Sequence, residues 1–209
     1  MLAALRAALT DPASFFEREA AEPRLREPIL IVAVVGIVGL LSSVPVFQAI
    51  MGAVPEAASP FVMIGLGLGA VIGLVSPFVI WLVYTVLFYG LSSLFDGIGE
   101  FRNLFAVVGW GFAPNILGQL VSGIVLVVLL SRGAFSNPQE AQQFARSATT
   151  GPLGVFNRGF GLLMTLWSAW IWTYAVAAVR GLSRREAAIS VGVVVGAGIL
   201  LGIASTFLV

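Results

Sequence analysis

Five long apolar stretches, centred near Val38, Ile80, Val121, Trp170 and Val195, are separated by segments that hold almost every charge in the chain. A helix needs roughly 20 apolar residues to cross about 30 Å of hydrocarbon, and each stretch reaches or exceeds that length. Hydrophobic residues make up 59% of the sequence and charged residues 10%, so lipid is the solvent for most of this surface. The expected fold class is an all-α polytopic membrane protein, a bundle of five transmembrane helices preceded by short N-terminal interfacial helices. The spans are expected near 28–50, 61–95, 104–130, 160–179 and 187–208. They divide the chain into a cytoplasmic amphipathic segment, 1–27, and a five-helix transmembrane domain, 28–209. Neither of the longer polar pieces can build a second core.

A net charge of +1 without a clustered basic face argues against nucleic-acid binding. The chain has no Cys and no His, which removes thiolate chemistry, the commonest metal ligand and the commonest general base. No cofactor and no metal site is expected. A cleavable signal is not expected either, because Met1 to Thr10 is short and runs into a charged amphipathic stretch.

Leu2, Leu5 and Leu9 recur at helical spacing, and Thr10-Asp11-Pro12 stops one helix and starts the next, with Asp11 as N-cap. Phe15 and Phe16 on that second helix give it an aromatic edge expected to lie in lipid at the headgroup level. Gly36 and Gly39 permit close helix approach in the first span, where Pro45 kinks or ends the helix. The second span must tilt, bend at Ser76-Pro77 or protrude, because it is longer than a bilayer requires. Gly65, Gly69 and Gly73 in this span, and Gly192 and Gly196 in the last, form small-xxx-small ridges expected to pack against neighbouring helices.

The third span carries Pro114, Asn115, Gln119 and Ser122, the last three on one helical face. Amides in hydrocarbon need partners, so this face should look into the bundle and pair there, with the Thr165 and Ser168 face of the fourth span as one candidate. Asn137-Pro138-Gln139-Glu140 has the order of a capping box and predicts a surface helix to about Ser147. Trp167, Trp170, Trp172 and Tyr174 suit an interfacial aromatic belt. Gly181 closes the fourth helix, and Ser183, Arg184, Arg185 and Glu186 open the fifth with a capping box in a cytoplasmic turn. That location follows from the arginines. Eight lie on the side of Arg6, Arg102 and Arg180, and three, Arg132, Arg146 and Arg158, on the other. Basic residues stay cytoplasmic, so the N-terminus is expected in the cytoplasm and the C-terminus on the opposite side of a cell membrane.

Thr10-Asp11-Pro12 with Phe15-Phe16, the segment Phe101 to Leu117 with Gly109 and Pro114-Asn115-Ile116-Leu117, and the closing Arg180-Gly181-Leu182-Ser183-Arg184-Arg185-Glu186-Ala187 together resemble the Yip family of Ypt/Rab-interacting proteins. The resemblance implies a five-span fold over essentially the whole chain and, for eukaryotic members, binding of prenylated Rab-type GTPases in early secretory traffic. Those members carry a long cytosolic N-terminal region and an Asp-Leu-Tyr-Gly-Pro motif. Here the corresponding stretch is Arg24-Leu25-Arg26-Glu27-Pro28, in which Leu25 and Pro28 match. The chain looks more like a small bacterial or archaeal member, and Rab binding does not carry over.

A non-enzymatic integral membrane protein that organises membrane or protein partners is the expected function, with the lipid bilayer and a protein partner or a second copy as its contacts. The alternative is a small transporter or permease-like subunit using a polar intrabundle cavity. No charge lies deep within a span, whereas ion-coupled carriers usually keep one there. An intramembrane enzyme fits least. Ser76, Ser122, Thr165 and Ser168 have no His, Lys or Asp in their own spans to activate a hydroxyl.

Overall fold

The computed structural model describes residues 2–131, 140, 143, 144, 146, 148 and 150–205. Its helices are α1 (Leu2–Thr10), α2 (Pro12–Glu19), α3 (Arg26–Ala53), α4 (Ser59–Ser93), α5 (Phe101–Val108), α6 (Ala113–Leu130), α7 (Pro152–Arg180) and α8 (Arg184–Ser205). Single 3-10 turns, Glu56–Ala58 and Gly109–Phe112, precede α4 and α6. Among the described residues there is no strand, and five stretches are long and apolar enough to cross a membrane: Arg26–Ala53, Glu56–Ser93, Phe101–Leu130, Pro152–Arg180 and Arg184–Ala204. The predicted cap at Asn137 to Gln139 lies outside the described residues.

Asp11 separates α1 from α2 as a true N-cap, its carboxylate accepting from the Ser14 backbone N–H at 3.3 Å. The aromatic edge of α2 does not face lipid. Phe15 and Phe16 are buried, and Phe15 meets Trp110 edge-on at 4.8 Å between ring centroids. The Trp167 indole N–H donates to the Leu9 carbonyl at 3.2 Å. Two adjacent rings bury more apolar area against the bundle's own aromatic surface than a short helix at the headgroup level would.

Neither interior proline of the first two spans ends its helix. Pro45 lies inside α3, which continues to Ala53. Pro77 lies inside α4 and leaves the Gly73 carbonyl without its usual donor. The Ser76 hydroxyl donates to that carbonyl at 3.2 Å, so α4 runs on through 35 residues.

The third span, by contrast, changes its winding midway. The chain passes from α5 through the buried 3-10 turn Gly109–Phe112 into α6. Pro114 falls in the first turn of α6, where its missing N–H costs nothing. It therefore opens a helix and does not kink one. Irregular backbone at membrane depth is tolerated only where protein surrounds it, and here two tryptophans complete the hydrogen bonding. The Trp172 indole N–H donates to the Val108 carbonyl at 2.7 Å and that of Trp81 to the Phe105 carbonyl at 2.9 Å. A Cβ on Gly109 would lie 2.6 Å from the Pro28 Cβ, and one on Gly111 would run into the Trp172 indole. Trp172, expected in an interfacial belt, is thus a core residue, 2% exposed, whereas Trp170 stays outside.

The glycine ridges are also corrected. At Gly65, Gly69, Gly73, Gly192 and Gly196 an added Cβ would meet nothing within 4 Å among the described residues. The close crossings lie elsewhere. A Cβ on Gly36 would come 2.9 Å from the Leu74 carbonyl oxygen, and one on Gly123 would come 2.6 Å from the Ser42 hydroxyl, which itself donates to the Gln119 carbonyl at 2.9 Å. Small-residue spacing permits approach, but which face turns inward is set by the whole bundle.

At the far end of α7, Arg180 is 2% exposed and staples the α4–α5 connection. Its guanidinium donates to the Ser92 and Ser93 hydroxyls, each at 2.9 Å, and to the Gly99 carbonyl at 2.7 Å, and lies 4.2 Å over the Tyr89 ring. Gly181 then takes a left-handed φ of 65°, the conformation a helix-ending turn requires.

Candidate functional site

A cavity of about 430 Å³ lies between α3, α4, α6 and α7. Because Pro114 starts α6, Asn115 falls in its first turn, with Gln119 and Ser122 one and two turns on, and all three line the cavity. Gly39 makes room for the Gln119 side chain, 3.4 Å from where a Cβ would stand. Thr165 and Ser168 line the same space from α7, and Tyr84 lines it from α4 with its ring stacked on Trp172 at 4.8 Å. The third-span polar face therefore looks inward.

The expected pairing of the amides is not found. Neither Asn115 nor Gln119 forms a side-chain hydrogen bond with any described residue, although Ser122 donates to the Asn157 amide oxygen at 2.9 Å. Thr165 is satisfied locally, donating to the Gly161 carbonyl at 3.0 Å. The Ser168 hydroxyl is fully buried and has no partner among the described residues. Two half-buried amides and a buried hydroxyl thus line one cavity with hydrogen-bonding capacity that the described residues leave unused. No lining residue carries a formal charge. The arrangement suits a neutral polar group, and it offers neither an activated nucleophile nor a buried proton carrier.

Pro114 is buried beside this site without lining it, and the turn residues Ser183, Arg184, Arg185 and Glu186 are not part of it. Those four form the α7–α8 connection, where the Glu186 carboxylate accepts from the Ser183 backbone at 2.9 Å and its hydroxyl at 2.7 Å. These bonds hold the Glu186 carboxyl below the usual carboxylate range. Of the ridge glycines, Gly73 lines the cavity wall and Gly65, Gly192 and Gly196 do not. Tyr84 was not legible as a site residue, since an isolated aromatic in an uninterrupted apolar run gives no signal of the face it occupies.

A helical membrane bundle around an uncharged polar cavity, its third span passing through a 3-10 turn, is the class of protein these features define. The chain belongs to the family described as Yip1 domain, whose pattern matches residues 6–206. It is also similar to an uncharacterised protein of the archaeon Methanocaldococcus jannaschii, with 32% identity over 120 residues that cover 55% of this chain and 82% of that protein. No solved structure matches it.

Proposed function

We propose that this Yip-family protein is a non-enzymatic organiser of the membrane that holds a neutral polar membrane constituent, lipid or partner helix, in the cavity of its bundle. The observation that carries this reading is the convergence of the unpartnered Asn115 and Gln119 amides and the buried Ser168 hydroxyl on one uncharged space. Native mass spectrometry of the protein extracted with its surrounding bilayer tests it. A stoichiometric companion is expected on the parent protein, reduced about tenfold by Asn115→Leu with the fold intact, since losing one or two hydrogen bonds is worth about 1.4 kcal/mol. Identical co-purification with parent and variant would sink the reading.

A second reading, a small permease, draws on the polar cavity between the spans, beside the 3-10 turn of the third. Saturable solute uptake into proteoliposomes that Asn115→Leu abolishes would favour it. For either reading, the excess of arginines, eight against three, supports an N-terminus and α7–α8 turn in the cytoplasm. The chain has no Cys, so single cysteines at Ser14 and Ser183 report cleanly. Labelling of either by an impermeant thiol reagent on intact cells would reverse the orientation.

A further inference from the structure

A second pocket of about 480 Å³ lies where α2 and the residues after it meet the start of α3 and the 3-10 turn of the third span, and it is built unlike the first. Charged side chains line it: Arg18, Glu19, Glu22, Arg24 and Glu27, with the Trp110 ring completing the wall. Two polar atoms here are buried without partners among the described residues, the Trp110 indole N–H, on a residue 1% exposed, and one carboxylate oxygen of Glu27. One is a donor and the other an anionic acceptor, so a ligand satisfying both carries an acceptor and a hydrogen-bond donor, the latter bound more strongly where it is cationic.

The remaining residues sharpen that requirement. Glu19 is half-buried, and burial holds its carboxyl above the usual carboxylate range although the Arg24 backbone N–H lowers it; the charge of Glu27 adds to the rise. Two carboxylates lining one pocket favour a cation between them. Among the described residues no three carboxylates converge to hold a metal ion, whereas an ammonium needs only hydrogen-bond acceptors around it. Arg18 and Arg24 are exposed, and the pair of Arg24 with Glu22, at 3.9 Å, is a surface contact. Such contacts are weak, so both guanidiniums are free to turn toward an anion. The apolar run of α3 begins just after Arg26 and Glu27. The pocket thus sits at the depth of lipid headgroups.

We propose that this pocket binds an aminoethyl phosphate, presented as the headgroup of a phosphatidylethanolamine lipid. The primary ammonium lies between Glu27 and Glu19, and a phosphodiester oxygen accepts from the Trp110 N–H with Arg18 and Arg24 at the rim. This site is separate from the central cavity and does not depend on its occupant.

The test is retention of added lipid by the delipidated full-length protein in detergent, read by native mass spectrometry. Phosphatidylcholine keeps the phosphate but has no ammonium N–H, and phosphatidylglycerol has no ammonium. Phosphatidylethanolamine should be retained about tenfold better than either, the effect of one charge-assisted hydrogen bond. Glu27→Gln should remove that preference, Trp110→Phe should weaken retention of all three lipids by about threefold because they share the phosphodiester, and Gly52→Ala, in open space near the end of α3, should change neither. Should Glu27→Gln fail to fold, Glu19→Gln carries the test of the preference. Equal retention of the three lipids by the parent, an undiminished preference in the Glu27 and Glu19 variants, or undiminished retention by Trp110→Phe would overturn the proposal. Free phosphoethanolamine should compete only at large excess, and competition at equal concentration would overturn the lipid as the source.

Discussion

Glycine plays opposite parts in two regions of this bundle. At the 3-10 turn between α5 and α6, Gly109 and Gly111 touch Trp81, Pro28 and Trp172 so closely that a single methyl group has no room. In the first half of α4, Gly65, Gly69 and Gly73 follow the spacing associated with helix packing, yet a methyl group on any of them would meet open space. The difference shows that glycine spacing along a helix marks where approach is possible, while the partner that uses it is chosen by the surrounding fold. The tight pair has no repeat at all, only Gly-Trp-Gly-Phe in a turn that two distant tryptophans close.

The comparison is most exposed at Gly111. Gly111→Ala drives a methyl group into the Trp172 indole and strains the hydrogen bond to Val108, and overpacking of this kind should lower stability by about 3 kcal/mol. Thermal unfolding in one detergent measures it, and an unchanged midpoint would dissolve the distinction between the regions. Trp172→Phe keeps most of the ring but removes the indole N–H that bonds the Val108 carbonyl. It should cost about 1 kcal/mol, the worth of one hydrogen bond.

In the other region, Gly69→Ala should raise stability slightly, by up to about 1 kcal/mol, because alanine is the better helix former and nothing stands in its way. A loss there as large as at Gly111 would break the comparison and show that the ridge meets another chain. Neither region holds an ionisable side chain, so acid should act elsewhere. The Asp11 and Glu186 carboxyls are held low by hydrogen bonds from Ser14 and Ser183. Their stabilisation is present above the ordinary carboxylate value of about 4 and is lost as pH falls below it through the lowered folded-state values. Glu19, raised by burial, opposes folding near neutrality and ceases to as pH falls. Melting curves between about pH 7 and about pH 3 should show a smaller acid loss in Glu186→Gln than in the parent, with the Gly111→Ala penalty unaltered.

Much of the architecture was legible beforehand because its causes are local. Span number and approximate ends follow from runs of apolar residues, and Asp11, Gly181 and the Ser183–Glu186 pair cap their helices within reach of their own neighbours. The inward face of Asn115, Gln119 and Ser122 was also readable, since their spacing places them together and hydrocarbon forbids the alternative. Their lack of partners was not readable, because it depends on what α3, α4 and α7 present across the cavity. Trp172 and Phe15 resemble interfacial aromatics in sequence, and only the 3-10 turn between α5 and α6 shows that they serve as core and seal.

The sequence by itself determined that this chain lives in lipid, crosses it five times and gathers Asn115, Gln119 and Ser122 on one face of the third span, because the cost of exposing polar groups to hydrocarbon is paid residue by residue. Tertiary structure alone decided where the third span changes its winding, which glycines are indispensable and which polar atoms are left open to a ligand. Each of those depends on atoms from helices distant in the chain, such as Trp172 on Val108 and Trp110 beside Glu27, and no local pattern encodes that juxtaposition.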